Sequence, residues 1–236
     1  STSSNTANRP VCRAAGCRAG RQAHGIPPCR AYGTRPDLGA SAYDPGVCAD
    51  LLILPSPLLA ASAYEGLAEA LRALGHDVTL APAALADGEG AADLVSRWSA
   101  LARPGLLVVA HSNAGLAAPS VRSRSEGARL VFMDAALPPE SGPTALAPEG
   151  FRAHLAGLAD EHGVLPPWTR WWSRDDLAGV IPADRFGDLD RGCPRLPLSY
   201  FDGRLTPPPD WAAAPSAYLA FGDTYAAEQE FARAHG

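Results

Sequence analysis

The sequence predicts an α/β fold: a parallel sheet with helices on both faces and a helical cap inserted between two late strands. Three observations predict it. Short, wholly apolar runs alternate with amphipathic helical stretches from residue 51 onward, as buried parallel strands and their crossovers do. One apolar run passes directly into a tight turn around a serine and then into a helix. Finally, the alternation stops between Pro138 and Pro215, where prolines and tryptophans gather, and resumes with one more strand.

The elements follow in order. Leu51–Leu54 is a four-residue apolar run ended by Pro55, which suits a strand buried on both faces. A helix is predicted from Ser62, with Ser62 and Glu65 as a capping box. Leu67, Leu71 and Leu74 lie on its apolar face and Gly75 stops it. Asp77–Leu80 is the next strand. Ala91–Ala102 is a second amphipathic helix that turns Leu94, Val95, Trp98 and Leu101 inward. Leu106–Ala110 is a buried strand, and the helix after Ser112 should bend where Pro119 removes a backbone donor. Leu130–Met133 and Tyr218–Phe221 are the fourth and fifth strands. The stretch at about 138–215, holding Phe151, Leu155, Leu158, Trp168, Trp171, Trp172 and Trp211, is expected to cap the sheet's C-terminal edge. Its tryptophans serve either the cap's own core or a ligand pocket.

Residues 1–47 are of another kind. Six arginines stand there against two aspartates, a net of +4, whereas residues 48–236 carry 14 arginines against 23 acids, a net of −9. Neither alternation nor helical period survives in the segment, which reads as an irregular extension rich in Gly, Pro, Arg and Cys. A transit peptide would need an apolar face, and none can be drawn. Translation from the wrong frame of a GC-rich gene, the kind of gene that the all-Arg basic residues suggest, is a further reading; the absence of an initiating Met is expected to reflect processing or cloning of this end. Four of the five cysteines (Cys12, Cys17, Cys29, Cys48) precede the first strand. Their odd total and the lack of a secretory apolar region point to reduced thiols rather than a disulfide framework. Zinc held by Cys12, Cys17, Cys29 and His24 would lack any paired C-x-x-C spacing, so no metal and no cofactor is expected.

A net charge of −5 argues against nucleic acid or anionic membrane as the main partner. No apolar run approaches the ~20 residues of a membrane span. The expectation is a cytoplasmic protein that binds an apolar small molecule, with a second copy as a candidate cover for any open sheet edge.

The chemistry centres on Leu106-Leu-Val-Val-Ala-His-Ser-Asn-Ala-Gly115. A sharp strand-to-helix turn needs small residues two positions either side of its central residue. Ala110 and Ala114 supply them around Ser112, where the usual G-x-S-x-G has glycines. The plainer reading of Ser112 is an N-cap. The strand, the small neighbours and His111 together favour a nucleophile elbow. On these residues the chain resembles the α/β-hydrolase superfamily, in particular small esterase-like members. Leu54-Pro-Ser-Pro-Leu58, Val131-Phe-Met-Asp-Ala135 and the Tyr218–Asp223 strand end support it in the right order. The resemblance covers residues 50–236 and implies Ser112 as nucleophile and the amide of Asn113 as one oxyanion donor. Leu58 would supply the second, because Pro55 and Pro57 cannot donate. It implies an acid at Asp223 or, alternatively, Asp134, with Glu228 a third candidate. His111, Trp168, Trp171 and Trp172 are the substrate-binding candidates.

The histidine breaks the match. In the superfamily the base follows one more strand beyond the acid, and here the sequence stops at His235-Gly236. His235 sits at a helix end. His111 should face the other side of the strand from Ser112, His76 lies at the far edge, and His154 and His162 fall in the cap. Three functions follow as expectations. One is a serine hydrolase of an apolar ester or thioester, impaired for want of a base. The second is a non-catalytic relative that binds a hydrophobic small molecule. The third is a fragment or frame-altered product.

Overall fold

A computed structural model describes residues 48–235. The chain divides into two units, between Cys48 and Ala49. The expectations for residues 1–47, the zinc quartet among them, lie outside the described residues. Cys48 is disulfide-bonded. That corrects the reading of all early thiols as reduced, since spacing cannot show which sulfurs the fold brings together.

Five parallel strands form one sheet in the order β2-β1-β3-β4-β7: β1 (Asp50–Leu54), β2 (Asp77–Leu80), β3 (Leu107–Ser112), β4 (Arg129–Ala135) and β7 (Ser216–Leu219). The register pairs Leu54 with Ala110 and Ala110 with Phe132, and it slips between His111 and Ser112. The α/β class and the parallel sheet thus hold. The fifth strand lies two residues earlier than predicted, because Tyr218 pairs with Phe132 while Phe221 has left the ladder.

Alternate residues feed two cores, as pleating requires. Leu51, Ile53, Val109 and Met133 pack with Tyr64 and Ala68 of helix α1 (Ser62–Ala73). Leu52, Leu54, Val108, Ala110, Leu130 and Phe132 pack with helices α2 (Ala91–Ser99) and α3 (Ala118–Arg122), through Leu94, Trp98 and Val121. Trp98 is 1% exposed, and its indole N–H donates to the Pro82 carbonyl at 2.7 Å.

The capping box at Ser62 and Glu65 does not form. Ala61 is the N-cap and is itself in right-handed helical geometry, so Ser62 already lies inside the first turn and its hydroxyl caps nothing. The predicted stop is present. Gly75 takes φ 93°, its N–H donates to Arg72 and the N–H of His76 to Leu71, the paired bonds of a Schellman end.

Between β4 and β7 the chain forms the cap. Strands β5 (Thr144–Ala145) and β6 (Arg204–Leu205) pair antiparallel, and helices α4 (Glu149–Leu158), α5 (Arg174–Leu177) and α6 (Ala183–Gly192) lie between them in sequence. Leu155 and Leu165 are fully buried there, and Phe151, Trp171, Trp172 and Phe201 share ring contacts. Helix α7 (Ala226–His235) follows β7. No helix among the described residues is long and apolar enough to cross a membrane.

Candidate active site

Ser112 ends β3 with φ 55° and ψ −130°, one of three non-glycine residues with positive φ among those described. Such a conformation costs an L-residue of the order of 1–3 kcal/mol and persists only where its surroundings impose it. Here they do. The Ser112 carbonyl accepts from the N–H of Ala136 at 3.1 Å, and Asn113–Leu116 form a 3₁₀ turn at once. Gly115 packs flush against the end of β4: a Cβ there would lie 2.9 Å from that of Ala135 and still closer to the Ala136 carbonyl oxygen. Helix α3 then begins with Pro119 in its first turn, and Ala117, which joins it to the 3₁₀ turn, keeps right-handed helical geometry.

The hydroxyl of Ser112 lies 3.2 Å from that of Tyr225. Burial pushes the Tyr225 phenol up from its ordinary pKa, so it stays protonated. The N–H of Asn113 opens the turn and has no intrahelical acceptor. The Asn113 side chain is held by the cap at both ends: its amide donates to Leu146 at 2.9 Å, and its oxygen accepts from the buried Tyr200 hydroxyl at 2.7 Å.

Leu58, the candidate second oxyanion donor, directs its N–H to Ser56 Oγ at 3.3 Å. The Ser56 N–H donates to Tyr64 Oη at 2.8 Å, and Tyr64 Oη lies 2.7 Å from His111 Nδ1. His111 therefore faces α1. Burial lowers its pKa to about 4, the charge of Asp134 opposing only in part.

Of the acids, Asp134 stands at φ 44° and its carboxylate accepts from the Phe221 N–H at 3.1 Å, tying the exit of β7 to β4. The same charge acts on Tyr225, Tyr218 and His111. Asp223 is exposed, its carbonyl accepting from Ala226 at the start of α7. Glu228 is half-buried and acts on Tyr225 through its charge.

No histidine among the described residues hydrogen-bonds Ser112. His76 Nδ1 accepts from the Ala49 N–H, and His162 lies exposed beside Glu161. His154 stacks in the cap against Phe151 and Trp172. His235 Nε2 lies 2.7 Å from Glu140, its pKa raised by the Phe231 carbonyl first and by Glu140 second. Of the tryptophans, Trp171 is buried with its N–H on Pro166, Trp168 is half-buried, and Trp172 is 40% exposed. A cavity of about 400 Å³ opens between β7 and α7, lined by Phe132, Trp211, Tyr218, Phe231 and His235 among others; Ser112 is not in its wall.

The residues that sequence reasoning missed are Tyr64, Tyr200 and Tyr225. Each meets the turn or its flank through a phenol that arrives from 47 to 113 positions away.

No protein-family model matches the chain, and no curated protein matches it. Among solved structures, an extracellular α/β-hydrolase from a Paenibacillus species is similar over 74% of this chain and 81% of its own, with TM-score 0.57 and 14% identity. A mutant of polyneuridine aldehyde esterase is similar over 72% and 78%, with TM-score 0.50 and 11% identity. At these identities the likeness is one of fold: the chain has the α/β-hydrolase fold.

Proposed function

From this α/β-hydrolase fold we propose a serine hydrolase that acts on an apolar ester or thioester through an acyl-enzyme at Ser112. The observation that carries the proposal is the backbone of Ser112, an L-residue held at φ 55° between a buried strand and a helical turn. Such a turn presents a hydroxyl ahead of unpaired amides. In the reaction, Oγ would add to the acyl carbon and its proton would leave with the alcohol or thiol. The Asn113 N–H would hold the oxyanion, and water would then release the acid. The neutral Tyr225 phenol orients the Ser112 hydroxyl but does not deprotonate it. With no imidazole among the described residues at hydrogen-bond distance, turnover should be orders of magnitude below that of a complete triad. The aromatic cap and the esterase named among the structural neighbours support an apolar ester.

The test is labelling with a fluorophosphonate probe. Modification at Ser112, lost in Ser112→Ala, supports the proposal; an unlabelled folded chain refutes it. One observation favours a second reading, a non-catalytic protein that binds a hydrophobic small molecule. The partner of the Ser112 hydroxyl is a phenol that remains protonated. Saturable binding of an acyl ligand without labelling would establish that reading.

A further inference from the structure

We infer that His111 is a positioning residue and not the base for Ser112: a neutral imidazole with its proton on Nε2, it anchors, through Tyr64, the loop that leaves β1 beside the Ser112 turn. Proton accounting carries the argument. The Ser56 N–H can only donate, so at 2.8 Å Tyr64 Oη is its acceptor. Tyr64 has one proton of its own, and among the described residues the only other polar atom bonded to Oη is His111 Nδ1, at 2.7 Å. Were Nδ1 protonated, a phenol 4% exposed would accept twice and leave its own proton without an acceptor. The phenol therefore donates to Nδ1, and the proton of the neutral ring sits on Nε2.

Nε2 has no protein partner among the described residues, and no buried polar side-chain atom there lacks one. Its proton thus reaches open space. In this state neither ring nitrogen can take a proton from Ser112: Nδ1 is filled by Tyr64 and Nε2 is already protonated. The charged and titratable groups facing the ring are Tyr64 from α1 and Asp134 from β4. Asp134 favours the imidazolium, and burial outweighs it. What the relay fixes is structural. Ser56 N–H, Tyr64 and His111 join the β1 exit, α1 and β3 at the point where Leu54 pairs with Ala110.

The inference does not depend on whether Ser112 reacts, because the reporter is the ring itself. Long-range proton–nitrogen correlation spectra of the chain, with its histidines labelled in nitrogen-15 and His111 assigned through His111→Asn, should show an unprotonated Nδ1 and a protonated Nε2. Neither should titrate between pH 5.5 and 8. The opposite tautomer, or an imidazolium forming near pH 6.5, would overturn it. In Tyr64→Phe the Nδ1 resonance should move toward the average of the two tautomers; an unmoved resonance in a folded variant also overturns the role of Tyr64. Because Tyr64→Phe could unfold, a second comparison is needed. An asparagine oxygen can accept the Tyr64 proton where Nδ1 did, so His111→Asn should melt closer to the parent than His111→Leu. Equal melting of the two would count against the relay.

Discussion

Replacing Gly115 with alanine adds one methyl group where the turn has no room. The new Cβ would meet the Ala136 carbonyl oxygen with an overlap of the order of 1 Å. It would also stand 2.9 Å from the Ala135 Cβ. The first obstacle is backbone, so no side-chain rotation relieves it. Either the 3₁₀ turn or the end of β4 must withdraw. Withdrawal stretches the bond from Ala136 N–H to the Ser112 carbonyl, worth about 1 kcal/mol. Overpacking strain adds about 1–3 kcal/mol, so Gly115→Ala should cost about 3 kcal/mol. With a urea slope of about 2 kcal/mol/M for a domain of this size, the midpoint falls by about 1.5 M. Equilibrium urea unfolding followed by tryptophan fluorescence reads this directly. Probe labelling of Ser112 should fall as well, because the residue loses the contacts that impose its φ. A variant within 0.5 kcal/mol of the parent would show that the turn does not press on β4, and the reasoning about Ser112 would go with it.

Other consequences can be measured in the same way. Ser112→Gly removes the strain of a positive φ and should raise stability by about 1 kcal/mol while abolishing labelling; a loss of stability in urea unfolding would deny that the turn is strained. Tyr200→Phe leaves the Asn113 side-chain oxygen without its donor and should cost about 1–2 kcal/mol, read as a lower melting temperature. His111 has a folded pKa of about 4, below the ordinary imidazole value, so the unfolded chain binds the extra proton first. Its contribution is complete above about pH 7 and is lost as the pH falls toward 4, by up to about 3 kcal/mol. Unfolding free energies of the parent and His111→Asn should therefore converge on acidification, and parallel curves would refute the burial argument.

Much of the sheet was legible because buried parallel strands leave an apolar run and helices leave a stripe. Leu51–Leu54 and Leu106–Ala110 are such runs, and the turn at Ser112 betrays itself through small neighbours on both sides. Gly75 was legible as a stop because only a residue tolerant of positive φ fits there. Ser62 was misread because a capping sequence shows the residues but not the backbone geometry of the cap, and Ala61 was already helical. The hydrogen-bond partners of Ser112 and its flanks were not legible. Tyr64, Tyr200 and Tyr225 act through single hydroxyl groups that reach the turn across the fold, and a tyrosine bound for that task looks in sequence like any other half-apolar residue. The pairing of β5 with β6 was missed because two residues a side carry no period.

Asn113 fastens roof to floor. One end of its amide donates to the residue that follows β5 and the other accepts from a tyrosine 87 positions further on, so the turn after Ser112 is tied to two separate parts of the cap. Were Ser112 to receive a substrate, lifting the cap to admit it would break both of these bonds at once.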